Sequence, residues 1–171
     1  TFTPPTPTTV SGSLTFGTVT ANSIQLNFPN WASNEVGYAI YYSTDDINYT
    51  YFTRTTANAT TSTVTGLLPG TTYYFRVYAV TEGGVSNPLT NSQSTNAPNT
   101  KTSTGSGTWN TAARWTPSGV PTAADNVIIA NGHAVIVDVN TATCYNLTID
   151  GTLTIGNNAV QTLTVNGDIT I

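Results

Sequence analysis

Apolar and polar residues alternate along most of this chain in short runs that are separated by turn residues. Alternation with a period of two is typical of half-buried strands, and no window of about 12 residues shows the apolar spacing of a helix. Runs that recur about every 10 residues between turns indicate an antiparallel β-sandwich. The runs between residues 10 and 89 are SGSLTFGTVT, SIQLNF, GYAIYYS, NYTYFT, STVTGL and TYYFRVYAV.

The pattern changes after residue 107, where shorter apolar runs recur with Asn-Gly or Asp-Gly turns between them. This repetition is typical of stacked coils, so we predict a β-solenoid over residues 108–171. Asp150-Gly151 and Asn166-Gly167 are the expected corners, because glycine tolerates a positive φ and Asn or Asp satisfies local backbone groups. The residues expected to point inward are Leu147, Ile149, Leu153, Ile155, Leu163, Val165, Ile169 and Ile171, with Thr148, Thr154, Thr164 and Thr170 outside.

Two segments lack the apolar residues of a packed element. Residues 1–9, TFTPPTPTT, are expected to form an extended lead-in, because proline fixes its own φ and disfavours helix in the residue before it. Residues 91–107 are rich in Asn, Ser, Thr and Gly, and we predict a linker there. The chain would then be an all-β protein with a sandwich over residues 10–90 and a solenoid segment over residues 108–171.

The first of these modules resembles a fibronectin type III domain over about residues 5–97. The resemblance rests on Gly37–Tyr42, on the turn from Leu67 to Tyr73 and on Gly84-Val85-Ser86. It implies a Greek-key sandwich in which the Tyr73 hydroxyl bends back to the upstream backbone. Phe28 stands where the family has a tryptophan, so we expect the core to be packed around Phe28.

The second module has two tryptophans, Trp109 and Trp115, followed by Val-Pro and by Asp125-Asn126. Over residues 104–171 it resembles the start of right-handed β-helix regions in large secreted proteins of Bacteroidetes type. The resemblance implies a right-handed β-helix-like solenoid. Trp109 and Trp115 would then cap its first coil, as repeat stacks require.

Composition narrows the possible partners and the compartment. Charged residues make up 7% of the chain and the net charge is −4. The low number of cations predicts no nucleic-acid partner, and no run approaches the roughly 20 apolar residues of a membrane span. Polarity carried by Thr, Asn and Ser is typical of secreted bacterial proteins, so we expect an extracellular or cell-surface location, with the signal sequence removed or lying upstream.

Candidate catalytic and metal-binding residues are scattered along the sequence. His133, the one histidine, lies in an Asn-Gly-His turn, and Cys144, the one cysteine, shares the parity of core positions. The acidic residues occur mostly singly in turns and lack the spacing of a calcium loop. Because catalysis and metal binding need converging partners, we expect no enzyme activity, no cofactor and no metal site.

One face of the sandwich carries the most distinctive candidate surface. If Tyr73, Phe75 and Val77 point inward, the intervening residues point outward. A flat aromatic strip of tyrosines with one arginine would result. It could stack on glycan rings, pack against another module or subunit, or reflect only the β-propensity of tyrosine. The residues of this strip are Tyr41, Tyr74, Arg76 and Tyr78.

The sequence thus favours a non-catalytic structural or adhesive segment of a bacterial cell-surface or filament-forming protein. The alternative is an accessory region, a spacer or a carbohydrate-binding part, of a secreted carbohydrate-active enzyme. Expected partners are copies of this chain or neighbouring modules of a longer one, together with glycans. A head-to-tail contact would join the strand end at Thr170 and Ile171 to the N-terminal segment that contains Phe2.

Overall fold

The computed structural model describes residues 10–156 and 160–171, and nearly all of its regular structure is β-strand. The chain divides into two compact units, Thr1–Ala97 and Pro98–Ile171. The predicted all-β class is confirmed. The expected lead-in at residues 1–9, including Phe2, lies outside the described residues. Within those residues, no helix is long and apolar enough to cross a membrane.

The first unit consists of two antiparallel sheets. One has the order β1-β2-β5, and in the other β4, β3 and β6 are neighbours while β7 and β8 both pair with β6. The first sheet comprises β1 (Thr15–Val19), β2 (Ser23–Asn27) and β5 (Thr61–Thr65). The second comprises β3 (Gly37–Ser43), β4 (Thr50–Arg54), β6 (Thr72–Thr81), β7 (Gly84–Val85) and β8 (Leu89–Ser94).

The core of the first unit follows from the alternation in β6. Tyr73, Phe75, Val77 and Ala79 are all buried, whereas the residues between them are half-buried on the opposite face. These four side chains belong to one cluster with apolar residues of the other sheet, which is the packing of a β-sandwich. The remaining buried members of this cluster are Leu14, Ile24, Leu26, Phe28, Ala32, Tyr38, Ile40, Val64, Leu67 and Leu89.

Three aromatic rings, those of Phe28, Trp31 and Tyr38, pack together in the core of the first unit. The ring centroid of Tyr38 lies 5.2 Å from that of Phe28 and 4.7 Å from that of Trp31. Phe28 and Tyr38 are buried, and Trp31 packs against the cluster from its edge. Phe28 therefore occupies the core position, as the sequence predicts, and Trp31 adds the volume that a phenylalanine alone lacks.

The turn before β6 is fixed by the tyrosine corner. The Leu68 backbone N–H donates to the Tyr73 hydroxyl oxygen at 2.8 Å. Gly70 has a φ of 60°, a left-handed conformation that glycine adopts without a steric penalty. Thr95 closes the turn from the other side, because its hydroxyl donates to the Leu68 carbonyl at 2.7 Å. The corner therefore joins the start of β6 to the chain that follows β8.

The second unit contains parallel sheets rather than antiparallel ones. The largest has the order β11-β9-β12-β15-β18, in which only β11 runs antiparallel to its neighbour, and the others are β10-β13-β16 and β14-β17. A short 3-10 helix, Ala112–Arg114, precedes β11. The strands are β9 (Asn99–Ser103), β10 (Gly107–Thr108), β11 (Trp115–Thr116), β12 (Asp125–Ile129), β13 (Ala134–Val137), β14 (Thr141–Cys144), β15 (Leu147–Ile149), β16 (Thr152–Ile155), β17 (Thr162–Val165) and β18 (Ile169–Thr170).

Aliphatic residues stack in register inside these parallel sheets. Leu147 lies beside Val127, Leu153 beside Val135, and Leu163 beside Ala142. Three residues that we expected to point into the core are instead exposed, because each lies on or after the last strand of its sheet and has neighbours on one side only. They are Ile155, Ile169 and Ile171, with 46%, 58% and 95% of their surface exposed.

The predicted linker at residues 91–107 requires a correction, since most of it is strand. β8 pairs with β6 as far as Ser94, and β9 begins at Asn99 as part of the largest parallel sheet. These strands have few apolar residues, but backbone hydrogen bonding does not depend on side-chain polarity. Lys101 and Ser103 are buried in β9, where the Lys101 ammonium donates to the Pro117 carbonyl at 3.1 Å.

The corner glycines do not have the positive φ that the sequence predicts. Neither Gly151 nor Gly167 has a left-handed φ. A Cβ on Gly151 would lie 2.3 Å from the His133 carbonyl oxygen and 2.5 Å from that of Ala130. A Cβ on Gly167 would lie 2.1 Å from the side-chain oxygen of Asn146. Close approach of backbone oxygens, not backbone conformation, therefore selects glycine at position 151. At Gly167 the nearest backbone atom, the Tyr145 carbonyl oxygen, would lie 3.2 Å from the Cβ, and only the movable Asn146 side chain comes closer.

Replacing Tyr73 with phenylalanine tests the tyrosine corner. Tyr73→Phe keeps the buried ring and removes only the acceptor of the Leu68 N–H. We expect the free energy of unfolding to fall by about 1 kcal/mol, the usual net value of one such hydrogen bond. Urea denaturation measures this change, and Tyr74→Phe on the outer face of β6 is the matched control. An equal loss in both variants would contradict the assigned role of the corner.

Candidate binding surface

The predicted outward residues of β6 do share one face of the sandwich. Tyr74, Arg76 and Tyr78 are half-buried and point away from the core. On the neighbouring strand Tyr41 lies directly opposite Arg76 in the antiparallel register, and Thr90 of β8 lies opposite Arg76 on the other side. The structure therefore brings together all four residues that the sequence singled out.

The surface that they form is a cleft and not a flat strip. The rings of Tyr41 and Tyr78 have centroids 5.6 Å apart and planes 81° apart. Tyr51 of β4 packs on the other side of Tyr41 at 5.4 Å and 65°. Edge-to-face contacts of this kind are the favoured geometry for aromatic pairs. Alternating ring orientations leave a recess between the side chains where coplanar rings would have left a platform.

A loop residue outside the predicted strip, Tyr49, completes the surface. The Arg76 guanidinium carbon lies 3.9 Å from the centroid of the Tyr49 ring, a cation–π contact. The Tyr49 hydroxyl donates to the Asp46 carboxylate, which also lies 3.9 Å from Arg76. Burial, together with the hydrogen bond to Asp46, raises the pKa of Tyr49 and keeps it a hydrogen-bond donor.

The loop between β3 and β4 is held by Asp45. Its carboxylate accepts from the Ser43 hydroxyl at 2.6 Å and from the backbone N–H groups of Ile47 and Asn48 at 2.9 and 2.8 Å. The hydrogen bonds from Ser43 and Asn48 hold the pKa of Asp45 far below its usual range. Asp46 follows with a left-handed φ of 58°, and its carboxylate contacts both Tyr49 and Arg76. Asp45 thereby places both Asp46 and Tyr49.

Two hollows lie side by side on this face, and Tyr49 lines both. The first, of about 350 Å³, is mainly aromatic and aliphatic, and the second, of about 300 Å³, is mainly polar. The first is lined by Ala39, Tyr41, Tyr49, Tyr78 and Val85. The second is lined by Asp46, Tyr49, Tyr74, Phe75, Arg76, Thr90, Asn91 and Ser92.

In the second unit, the two tryptophans are core residues. Trp109 and Trp115 are 1% and 2% exposed, and their ring centroids lie 5.2 Å apart at 68°. The Trp115 indole N–H donates to the Trp109 carbonyl at 2.9 Å. They directly follow β10 and begin β11, which are edge strands of their sheets, and both belong to the buried cluster of the second unit.

The remaining candidate residues do not converge on a site. The His133 ring nitrogen Nδ1 is hydrogen-bonded to the Ser103 hydroxyl at 2.8 Å. Cys144 is fully buried, and this burial raises the pKa of its thiol to about 11. Across the described ranges, no group of three or more His, Cys, Asp or Glu side chains could hold a metal. Thr170 and Ile171 are exposed, and Phe2 lies outside those ranges.

Comparison with known families identifies both units. Residues 4–95 match the model of the fibronectin type III domain, and this match spans more than half of the chain. The chain therefore belongs to the fibronectin type III family, which confirms the predicted resemblance. Residues 114–171 match the model of the G8 domain, so a G8 domain follows the fibronectin type III domain.

Solved structures also match the chain. One, described as a computer-based redesign of a β-sandwich protein, is 20% identical, with 53% of this chain and 94% of that chain covered and a TM-score of 0.45. Another, a solution structure of a fibronectin type III domain derived from human KIAA0970 protein, is 16% identical, with 49% and 71% covered and a TM-score of 0.42. Comparison with curated proteins finds no match.

Proposed function

We propose that this chain is a non-catalytic structural or adhesive segment of an extracellular bacterial surface protein. In this proposal its second unit forms the first coils of a right-handed β-helix, and the fibronectin type III domain acts as a spacer. One observation carries the proposal: the cyclic order in which successive strands join the three parallel sheets.

That order repeats through the second unit. β12, β13 and β14 belong to three different sheets, β15, β16 and β17 return to the same three in the same order, and β18 begins the next round. Each round advances the chain by about 20 residues, which is the length of a short solenoid repeat. A chain that winds around a common axis would revisit its sheets in this way. This path supports the β-helix proposal.

The chemistry of the coils suits a structural role outside the cell. Each coil contacts mainly its neighbours, so added coils lengthen the stack without requiring a larger core. Threonine rows cover the outside of β14 and β17, where Thr141 pairs with Thr162 and Thr143 with Thr164. Solvation by hydroxyl groups rather than by charges is consistent with the 7% of charged residues. These features support a rod-like segment at the cell surface.

The proposed partners are further coils or further copies of the chain. Ile155 and Ile169 are large apolar residues that are about half exposed on the outermost strands of their sheets. Covering such residues with apolar surface is favourable, at about 25 cal/mol per Å² buried. A neighbouring coil or a second copy supplies that surface.

Replacing Gly151 with alanine tests the close stacking of successive coils. The new Cβ would collide with the His133 and Ala130 carbonyl oxygens, which are backbone atoms and cannot move independently. We expect a loss of about 1–3 kcal/mol in the free energy of unfolding of the second unit, as for overpacked sites. Hydrogen exchange at increasing urea concentrations, read on peptides of each unit, measures it.

Thr152→Ala is the matched control for this substitution, because Thr152 is adjacent and exposed. Its effect should stay within about 0.5 kcal/mol, the range of ordinary surface changes. Unchanged protection of residues 98–171 in Gly151→Ala would count against stacked coils.

The non-catalytic part of the proposal is tested with polysaccharides. We expect the purified chain to release no reducing ends from a panel of plant, algal and bacterial polysaccharides over a day of incubation. The His133 ring is hydrogen-bonded to Ser103, and among the described residues no group of three or more His, Cys, Asp or Glu side chains could hold a metal. Reproducible turnover that persists across independent preparations would reject this function.

A further inference from the structure

We propose that the cleft formed by Tyr41, Tyr49, Tyr78 and Val85, here called the tyrosine cleft, binds a pyranose ring of a neutral glycan. This inference goes beyond the structural role proposed above and does not rest on it. It is derived from the shape of the cleft, the polarity of its neighbourhood and the balance of its charges.

The shape of the tyrosine cleft fits a small amphipathic ring. Its volume of about 350 Å³ lies within the usual range of small-molecule sites, about 300–1,000 Å³. Tyr41 and Tyr78 stand almost perpendicular to each other, so one ring can offer its face while the other offers its edge. A pyranose has an apolar C–H face, which packs on an aromatic face, and a rim of hydroxyl groups, which tyrosine hydroxyls can meet.

The adjoining polar hollow provides hydrogen-bond partners for the hydroxyl groups of a neighbouring sugar. It presents the Asp46 carboxylate, the Arg76 guanidinium and the Thr90 and Ser92 side chains. The Nε of Arg76 is buried and makes no hydrogen bond within the described residues. Because solvent does not reach that atom, a sugar hydroxyl would meet the other N–H groups of the guanidinium, whose side chain is 36% exposed. Tyr49 lies between the hollows, so one oligosaccharide can contact both.

The charges of this surface favour a neutral ligand over an anionic one. Arg76 is the cation of the surface, and the Asp46 carboxylate lies 3.9 Å from it. An acidic sugar would have to compete with this carboxylate for the guanidinium and would also meet its repulsion. A neutral sugar can donate a hydroxyl to Asp46 and accept from Arg76 without disturbing the pair.

A protein partner fits this surface less well than a sugar. The cleft lies on the face of the sheet, where β6 already pairs with β3 on one side and with β7 and β8 on the other. The backbone groups of β6 are therefore not free to pair with an added strand, as β-augmentation requires. Recognition there must use side chains, and tyrosines with hydroxyl, carboxylate and guanidinium neighbours are suited to polyhydroxylated rings.

The cleft is also held in place before any ligand binds. Tyr49 is fixed by its hydrogen bond to Asp46 and by the guanidinium of Arg76, and Asp45 fixes the loop that carries both Asp46 and Tyr49. Rigid side chains lose little conformational entropy on binding, which favours affinity.

Nuclear magnetic resonance titration of the whole chain tests the proposal. The probes are hexasaccharides of β-1,4-glucose, α-1,4-glucose, β-1,4-xylose and β-1,4-mannose, with the hexasaccharide of α-1,4-galacturonic acid as the anionic comparison. We expect at least one neutral probe to shift resonances of Tyr41, Tyr49 and Tyr78. We expect the galacturonic acid probe to bind more weakly.

Variants connect that binding to the cleft. Tyr78→Ala should weaken the affinity about tenfold, the upper range for loss of one aromatic contact, whereas Tyr78→Phe, which keeps the ring, should change it much less. Tyr49 lies in a loop, so Tyr49→Ala should weaken the affinity by a similar factor to Tyr78→Ala without disturbing the sheet. Tyr145→Ala in the second unit is the matched control and should leave the affinity unchanged.

Several outcomes would overturn the proposal. The first is that none of the four neutral probes shifts any resonance, or that the shifts occur only outside the cleft. The second is that the galacturonic acid probe binds more tightly than the neutral ones. The third is that Tyr49→Ala binds the sugar as tightly as the unmodified chain does. Shifts at the cleft that depend on protein concentration without sugar would identify a second copy as its occupant, and would likewise reject a glycan.

Discussion

The alternation of side chains along a β-strand is the constraint on which both units of this chain depend. In β6, burying Phe75 and Val77 against the facing sheet leaves only the outward direction for Arg76 and Tyr78. In β14, burying Cys144 directs the neighbouring threonines outward in the same way. A register shift of one residue would expose the whole core face and bury the polar one. The core and the surface of each sheet are therefore specified together.

This constraint explains which parts of the candidate surface can be predicted from sequence. Alternation places Tyr74, Arg76 and Tyr78 on one face, and the structure brings Tyr41 beside them. It does not place Tyr49, because a loop residue is positioned by its own hydrogen bonds, here those of the Asp45 turn and the Asp46 carboxylate. The angles between the rings also depend on three-dimensional packing, so a flat strip was the wrong expectation.

The pattern of apolar residues does not reveal two features of the fold, the polar strands and the reason for a corner glycine. β8 and β9 are polar strands whose stability comes from backbone pairing and from a few inward residues such as Leu89 and Ser103. The composition of residues 91–107, taken alone, is that of a linker. At Gly151 the sequence identifies the turn correctly, but the requirement for glycine arises from the backbone oxygens of Ala130 and His133, whose approach only the three-dimensional structure shows.

Side-chain accessibility of the tyrosines is the most direct measure of the alternation. Tyr38 and Tyr73 are 0% and 3% exposed, whereas Tyr51 is 54% exposed and Tyr78 is half-buried on the outer face. Hydroxyl-radical footprinting of the native chain, read by mass spectrometry, compares their rates of oxidation. The account predicts oxidation of Tyr51 and Tyr78 well before Tyr38 and Tyr73. Oxidation of Tyr73 as fast as Tyr78 in the folded chain would contradict it.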